Sequence, residues 1–212
     1  MSINIAVLVS GHGRGSNLQA IIDACGDNRI DGRVAVVIGV KDDVPAMERA
    51  RSQGIPAIAV SAKSFPDDEA YGRRLTEILS EYNVDLICLA GYMRLLPSEV
   101  VKTYKHRVMN THAALIPMFY GRGMYGEHLH RAVLDYGVKI SGCTIHFVDE
   151  QYDTGPIIVQ KAVSVEEGDT PETLVARILP HEHAAYVEAI SLFAQGRLRV
   201  EGRIVHIDPK HD

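Results

Sequence analysis

The chain has 212 residues, 46% of them hydrophobic and 23% charged, and carries a formal net charge of −5 at pH 7. That length suits one well-packed domain. The negative balance leaves no basic stripe for nucleic acid, and the apolar runs are strand-sized, far short of the roughly 20 residues that span a bilayer. The first residues run directly into a strand pattern, without the charged, apolar and small-residue succession of a secretory leader, so a cytoplasmic protein is expected.

Apolar runs at Ile3 to Val9, Val34 to Val40, Ala57 to Val60, Leu86 to Ala90 and Val108 to Asn110 alternate with helical patterns. This rhythm predicts βαβ units and a parallel sheet. Leu18, Ile21, Ile22 and Cys25 follow the spacing of a helix face, and Gly26-Asp27-Asn28 stops it. A second helix opens at Asp42-Asp43-Val44-Pro45 and closes at Gly54, and Tyr71, Leu75, Ile78, Leu79 and Tyr82 mark a third. After His112 a Gly/Met/Tyr-containing loop runs from Ala113 to Gly126, followed by a helix from about Glu127 to Tyr136. Ser141 to Val148 and Pro156 to Val165 are longer strands joined by a turn rich in Asp, Gly and Pro, which suits an antiparallel pair. Thr170-Pro171 reads as a helix N-cap with proline at the first helical position, and Pro180 is expected to kink or restart that helix, which runs to about Gly196. The tail after Ile207 is expected to be loose.

Two segments carry chemistry. Gly11, Gly13 and Gly15 lie between the first strand and first helix, where backbone N–H groups make an anion site. The same glycines would equally let strand and helix approach closely, and the residues alone leave both readings open. A dinucleotide site is disfavoured, because Lys41-Asp42-Asp43 after the second strand is a charged turn rather than a lone ribose-binding acid. In the second segment, Asn110 and His112 stand two residues apart at a strand end and project to one side. The stretch from His146 to Pro156 then supplies Asp153 from a loop. An amide that holds an oxyanion, an imidazole that moves a proton and a carboxylate that orients the ring are equipment for carbonyl chemistry. Taken singly each has a plainer role: a turn cap, a packed ring, a turn residue before Thr154-Gly155-Pro156.

No metal site is expected. His128/His130 and His181/His183 are spaced i, i+2 and point to different helix faces, and neither an HExxH pattern nor a cysteine partner accompanies them. Cys25, Cys88 and Cys143 are scattered in apolar surroundings and read as small buried hydrophobes.

Ser10-Gly11-His12-Gly13-Arg14-Gly15-Ser16-Asn17-Leu18-Gln19-Ala20-Ile21, Leu89-Ala90-Gly91-Tyr92-Met93-Arg94-Leu95-Leu96, Met109-Asn110-Thr111-His112 and the Asp153 loop occur in one order. Together they resemble the glycinamide ribonucleotide formyltransferase family, from Ile3 to about Leu198. The resemblance implies an α/β fold: a Rossmann-like, open, mostly parallel sheet flanked by helices, with antiparallel strands added toward the C-terminus. It implies a single domain over residues 1–212, with a phosphate-binding half at 1–105, a catalytic and folate-binding half at 106–198, and a short strand and tail at 199–212.

The reaction so implied moves the formyl group of 10-formyltetrahydrofolate onto the amine of N1-(5-phosphoribosyl)glycinamide in purine biosynthesis, by direct attack through a tetrahedral oxyanion and without metal. Asn110 and protonated His112 would hold the oxyanion, His112 would pass a proton toward the departing folate nitrogen, and Asp153 would raise the pKa of His112. Gly15, Ser16 and Asn17 would receive the phosphoribosyl group, and Glu182 would contact the glycinamide. Tyr92, Met93, Arg94, Leu95 and Leu96, with Asn110, would receive the folate. The partners implied are small molecules, with no nucleic acid or membrane, and the chain a monomer or homodimer.

Three departures from the family pattern stand out. The glycine turn carries two extra residues, so the roles of His12 and Arg14 are open: Arg14 either contacts the phosphate or is solvated. Asp68 precedes Glu69-Ala70-Tyr71, where the family often has a basic residue that contacts the folate's glutamate tail. Ala113 follows the histidine where proline is common, and the loop from Met118 to Gly126 is longer than usual, a candidate lid. Two related folate enzymes, formyltetrahydrofolate hydrolase and methionyl-tRNA formyltransferase, would need an additional domain. The rival from another class is a nucleotide-binding module without catalysis.

Overall fold

The computed structural model describes residues 2–11 and 15–210. Its described residues form nine strands, six α-helices and a single 3-10 turn at Ala62–Ser64. In chain order these are β1 (Ile3–Val9), α1 (Ser16–Gly26), β2 (Gly32–Gly39), α2 (Pro45–Ser52), β3 (Ala57–Ala59), α3 (Asp68–Glu81), β4 (Leu86–Leu89), α4 (Ser98–Thr103), β5 (Val108–His112), α5 (Gly126–Tyr136), β6 (Ile140–Phe147), β7 (Ile157–Ser164), α6 (Pro171–Ala194), β8 (Leu198–Glu201) and β9 (Ile204–Ile207). The strands make one sheet in the order β3-β2-β1-β4-β5-β6-β7-β9-β8. Strands β1 to β5 are mutually parallel; β6 runs antiparallel to β5 and β7 antiparallel to β6. The mostly parallel sheet with added antiparallel strands is as the resemblance implies.

Alternation along the parallel strands serves two buried faces. Ile5, Val7 and Val9 of β1 and Leu86 and Cys88 of β4 pack with α1, α2, α5 and α6, whereas Ala6, Leu8, Ile87 and Leu89 pack with α3 and α4. Because both faces are covered, these strands are continuous apolar runs rather than alternating ones. Each fully buried aliphatic side chain contributes about 1.5–3 kcal/mol of transfer free energy.

Chain order reverses between β1 and β4: β2 and β3 lie to one side, β5 to the other. Such a switch point opens a crevice beyond the carboxyl ends of the strands. Here the crevice is bordered by the turn after β1 and the segment after β4, which are tied together where the Ser10 hydroxyl donates to the Gly91 carbonyl.

Three elements differ from expectation. Helix α6 runs uninterrupted through Pro180. Leu174 and Ile178 before the proline and Glu182, Ala185 and Tyr186 after it are buried on one face, while Pro180 itself is exposed. Packing on both sides of the proline therefore continues the helix without a restart, and the hydrogen bond that proline cannot donate is lost on the solvent side. Residues Leu198 to Ile207 form a two-stranded ladder, β8 with β9, attached to β7 at Ile157 and Ile204, where a single short strand is expected. Helix α4 has no counterpart among the expected elements, being only six residues long. Among the described residues no helix is long and apolar enough to cross a membrane.

Candidate functional site

Strand β5 carries Asn110, Thr111 and His112 into the crevice, and its antiparallel neighbour sets their surroundings. Asn110 pairs with His146 and His112 with Thr144 across the β5–β6 ladder. Side chains directly opposite in such a ladder share a face, so His146 lies beside Asn110. The 148–156 loop then returns Asp153 to the same place. Gly155 makes that return feasible: a Cβ there would stand 1.7 Å from the Phe147 carbonyl oxygen. Asp153 itself has a positive φ of 57°, the left-handed region that Asp tolerates better than most residues.

The cluster is tight and largely buried: His112 and His146 are buried, Asn110 and Asp153 half-buried. Asn110 Nδ2 donates to Asp153 Oδ1 at 3.2 Å and lies 3.3 Å from His146 Nε2. Asp153 Oδ2 stands 3.6 Å from His112 Nδ1 and accepts from the Gly121 N–H at 3.1 Å. His112 Nε2 lies 2.8 Å from the Phe119 carbonyl, and His146 Nδ1 lies 2.8 Å from the Phe147 carbonyl. A carbonyl only accepts, so each of these nitrogens carries a hydrogen. A neutral His146 therefore presents the lone pair of Nε2 to Asn110, and a neutral His112 presents the lone pair of Nδ1 to Asp153.

Electrostatics follow from this burial. His112 is 5% exposed. Burial holds its pKa below the usual histidine value, and Asp153 and the Phe119 carbonyl pull upward without overcoming it. Asp153 thus pulls His112 in the direction the resemblance implies, and burial outweighs that pull. Burial pushes Asp153 up, yet the neighbouring His146 and His112 rings and the Gly121 N–H together hold it below the ordinary carboxylate value.

Around the cluster lies a cavity of about 530 Å³. Asn17, Asn110, His112, Asp153, Glu182 and the whole segment Tyr92 to Leu96 line it. Glu182 is 9% exposed and accepts from Asn17 Nδ2 at 2.8 Å and Thr111 Oγ1 at 3.0 Å, so it bridges the start of α1, the end of β5 and α6. Gly15, with a φ of 72°, caps α1, and Ser16 begins it beside Asn17. These two adjoin the cavity without appearing among its lining residues. His12 and Arg14 lie outside the described residues. Tyr92 and Leu96 are mostly buried; the Tyr92 hydroxyl is 2.9 Å from that of Tyr71, so its polar end belongs to the core beneath the cavity. Met93 and Leu95 are exposed at the cavity wall. Arg94 pairs with Asp68 and stacks 5.7 Å from the Tyr71 ring centroid.

Sequence reasoning assigned no role to His146 or Thr111. Their signal is present as polar residues in strands otherwise buried and apolar, but which group each meets depends on register between strands 36 residues apart. It also missed the loop contacts of Phe119 and Gly121, for which backbone atoms leave no trace in residue type.

The chain matches the family model described as formyl transferase over residues 3–190. It is 41% identical over 206 residues to the phosphoribosylglycinamide formyltransferase of Escherichia coli (strain K12), covering 97% of this chain and 94% of that one. The chain belongs to the phosphoribosylglycinamide formyltransferase family. A chloroplastic family member from Arabidopsis thaliana is 43% identical over 92% of this chain, which spans 66% of that protein's length. The crystal structure of glycinamide ribonucleotide transformylase 1 from Symbiobacterium toebii superposes with a TM-score of 0.91 at 48% identity, covering 98% of this chain and 95% of that one. Family membership accounts for the order of the glycine turn, the segment after β4 and the β5 cluster around one crevice.

Proposed function

We propose that this chain, acting as a single domain over residues 1–212, transfers the formyl group of 10-formyltetrahydrofolate to the amine of N1-(5-phosphoribosyl)glycinamide in the cytoplasm. The observation that carries this reading is the meeting of Asn110, His112 and Asp153 at the wall of a cavity that runs from Asn17 and Glu182 to the segment Tyr92 to Leu96. Gly15, Ser16 and Asn17 at the N-terminus of α1 take the phosphoribosyl group, and Glu182 holds the glycinamide. The folate lies against residues 92 to 96, with Asn110 at its reactive end.

The chemistry follows from the resting state of the cluster. The amine attacks the formyl carbon and forms a tetrahedral oxyanion. His112, neutral before attack, accepts the proton that the new ammonium releases. It is then an imidazolium beside ionised Asp153, and Nδ1–H has an acceptor there. Asn110 turns one Nδ2 hydrogen from Asp153 or His146 to the oxyanion. Collapse breaks the bond to folate N10, and His112 returns the proton to that nitrogen, so charge and protons balance. Loss of one oxyanion donor costs roughly 10²–10³ in rate.

The test is formyl transfer from 10-formyltetrahydrofolate, followed by folate absorbance, with and without the ribonucleotide. Release of folate only when the ribonucleotide is present supports the transferase. Release without it points to hydrolysis, and ribonucleotide binding without any release to a non-catalytic module.

A further inference from the structure

A second cavity, of about 370 Å³, opens off the mouth of the first and shares Leu95, Gly121, Arg122, Gln151 and Tyr152 with it. Tyr120, which is 42% exposed, and Tyr152 supply aromatic surface there. Arg122 is the one cation among its lining residues. The carboxylate in this annex, Glu150, is already engaged: it accepts from the Ser98 hydroxyl and lies 3.4 Å from Lys102 Nζ. Arg122 has no ion-pair partner among the described residues. The other arginine at the cavity mouth differs, since Arg94 is held by Asp68. An anion approaching Arg94 must displace a carboxylate that already neutralises it, whereas one approaching Arg122 need not.

We infer that Arg122 receives the glutamate carboxylate of the folate, and that the annex takes the aminobenzoyl-glutamate end of that molecule. This rests on the proposed reaction for its ligand. The chemistry of that end is an aryl ring followed by carboxylates, and the annex offers tyrosine faces followed by a guanidinium. Aryl rings pack against tyrosine in offset or edge-on geometry, and a guanidinium matches a carboxylate with two parallel N–H donors. The site also assigns a role to the lengthened loop, because Tyr120 and Arg122 both belong to it, and accounts for the acid at position 68: the basic contact has moved across the cavity mouth.

The experiment compares KM for 10-formyltetrahydrofolate with KM for 10-formyltetrahydropteroate, which lacks the glutamate, in the unaltered chain, Arg122→Gln and Arg122→Lys. Arg122→Gln should raise KM for the glutamate-bearing compound by about tenfold, as expected for loss of a charged hydrogen bond, leave KM for the pteroate unchanged and leave KM for the ribonucleotide unchanged. Arg122→Lys should recover part of the loss. Equal effects on both folates would mark Arg122 as a structural loop residue and overturn the assignment, as would no effect on either. If the unaltered chain transferred formyl from neither compound, the formyl-transfer reading itself would fall, and the role of Arg122 with it.

Discussion

Replacing Asp153 by asparagine preserves size and most hydrogen bonding but removes one charge 3.6 Å from His112 Nδ1. The sign of the effect follows from the resting state. His112 must be neutral to accept the proton of the attacking amine, so the acidic limb of kcat/KM reports its pKa in the free enzyme. Burial holds that pKa low while Asp153 pulls it up. Without the carboxylate, burial is opposed only by the weaker upward pulls of the Phe119 carbonyl and Glu182, so the limb must move to lower pH. Two unit charges at 3.6 Å interact by about 1 kcal/mol even at the dielectric of water, and more in a partly dry site, which corresponds to a shift of roughly one pH unit or more. At neutral pH the variant should nevertheless be slower by about 10² or more, because the imidazolium formed during transfer loses its counter-charge. The assay is the pH dependence of kcat/KM for formyl transfer between pH 5 and 9, in parent and Asp153→Asn. An acidic limb at the same pH in both proteins, or one moved upward, would refute the assignment of Asp153 as the group that stabilises protonated His112.

Gly155→Ala should abolish most activity and destabilise the fold by several kcal/mol or force the loop aside, since its Cβ would fall 1.7 Å from a backbone oxygen; urea unfolding together with turnover measures both, and a near-parental variant would mean the loop has slack that the close approach denies. Stability should also fall on acidification between about pH 6.5 and 4. His130, buried with no hydrogen-bond partner at Nδ1 among the described residues, has its pKa pushed down to about 4 by burial and by the nearby His112. A folded value below the unfolded one means that the native state binds fewer protons in that window, so stability declines as pH falls through it. His130→Leu should flatten this part of the profile in chemical denaturation, and an unchanged slope would locate the acid sensitivity elsewhere.

Much of the framework was legible in residues because its causes are local. The apolar run Ile3 to Val9 matches β1 residue for residue, Thr170 does cap α6 with its side chain accepting from the Thr173 N–H, and Pro171 does stand at the first helical position. Pro180 does not restart the helix, because the penalty for a helical proline is local while the packing that outweighs it, through Leu174, Ile178, Ala185 and Tyr186, is tertiary. Tyr186 alone reaches both the Leu89 and Met109 carbonyls at 3.0 Å, fixing α6 to β4 and β5.

At the site, Asn110, His112, Asp153 and Glu182 could be named from motif order. Their relations could not. Glu182 is named for a glycinamide contact, but its burial between Asn17 and Thr111 is set by the packing of α6 against α1 and β5. The state of His112 depends on the extent of burial and on a loop carbonyl, neither of which residue identity encodes. Asn110 is engaged on both sides by Asp153 and His146, so its oxyanion role requires an exchange of partners that the sequence alone gave no reason to expect.

The central claim is that the Asn110, His112 and Asp153 cluster carries out the transfer rather than merely shaping a binding cleft. His112→Ala tests it most directly, with ribonucleotide and folate affinities measured by calorimetry alongside single-turnover formyl transfer. The account predicts a folded protein that binds both ligands within a few-fold of the parent and transfers at least roughly 10³ more slowly, having lost the group that carries the proton from the attacking amine to the departing nitrogen. Near-parental turnover with intact binding would contradict it.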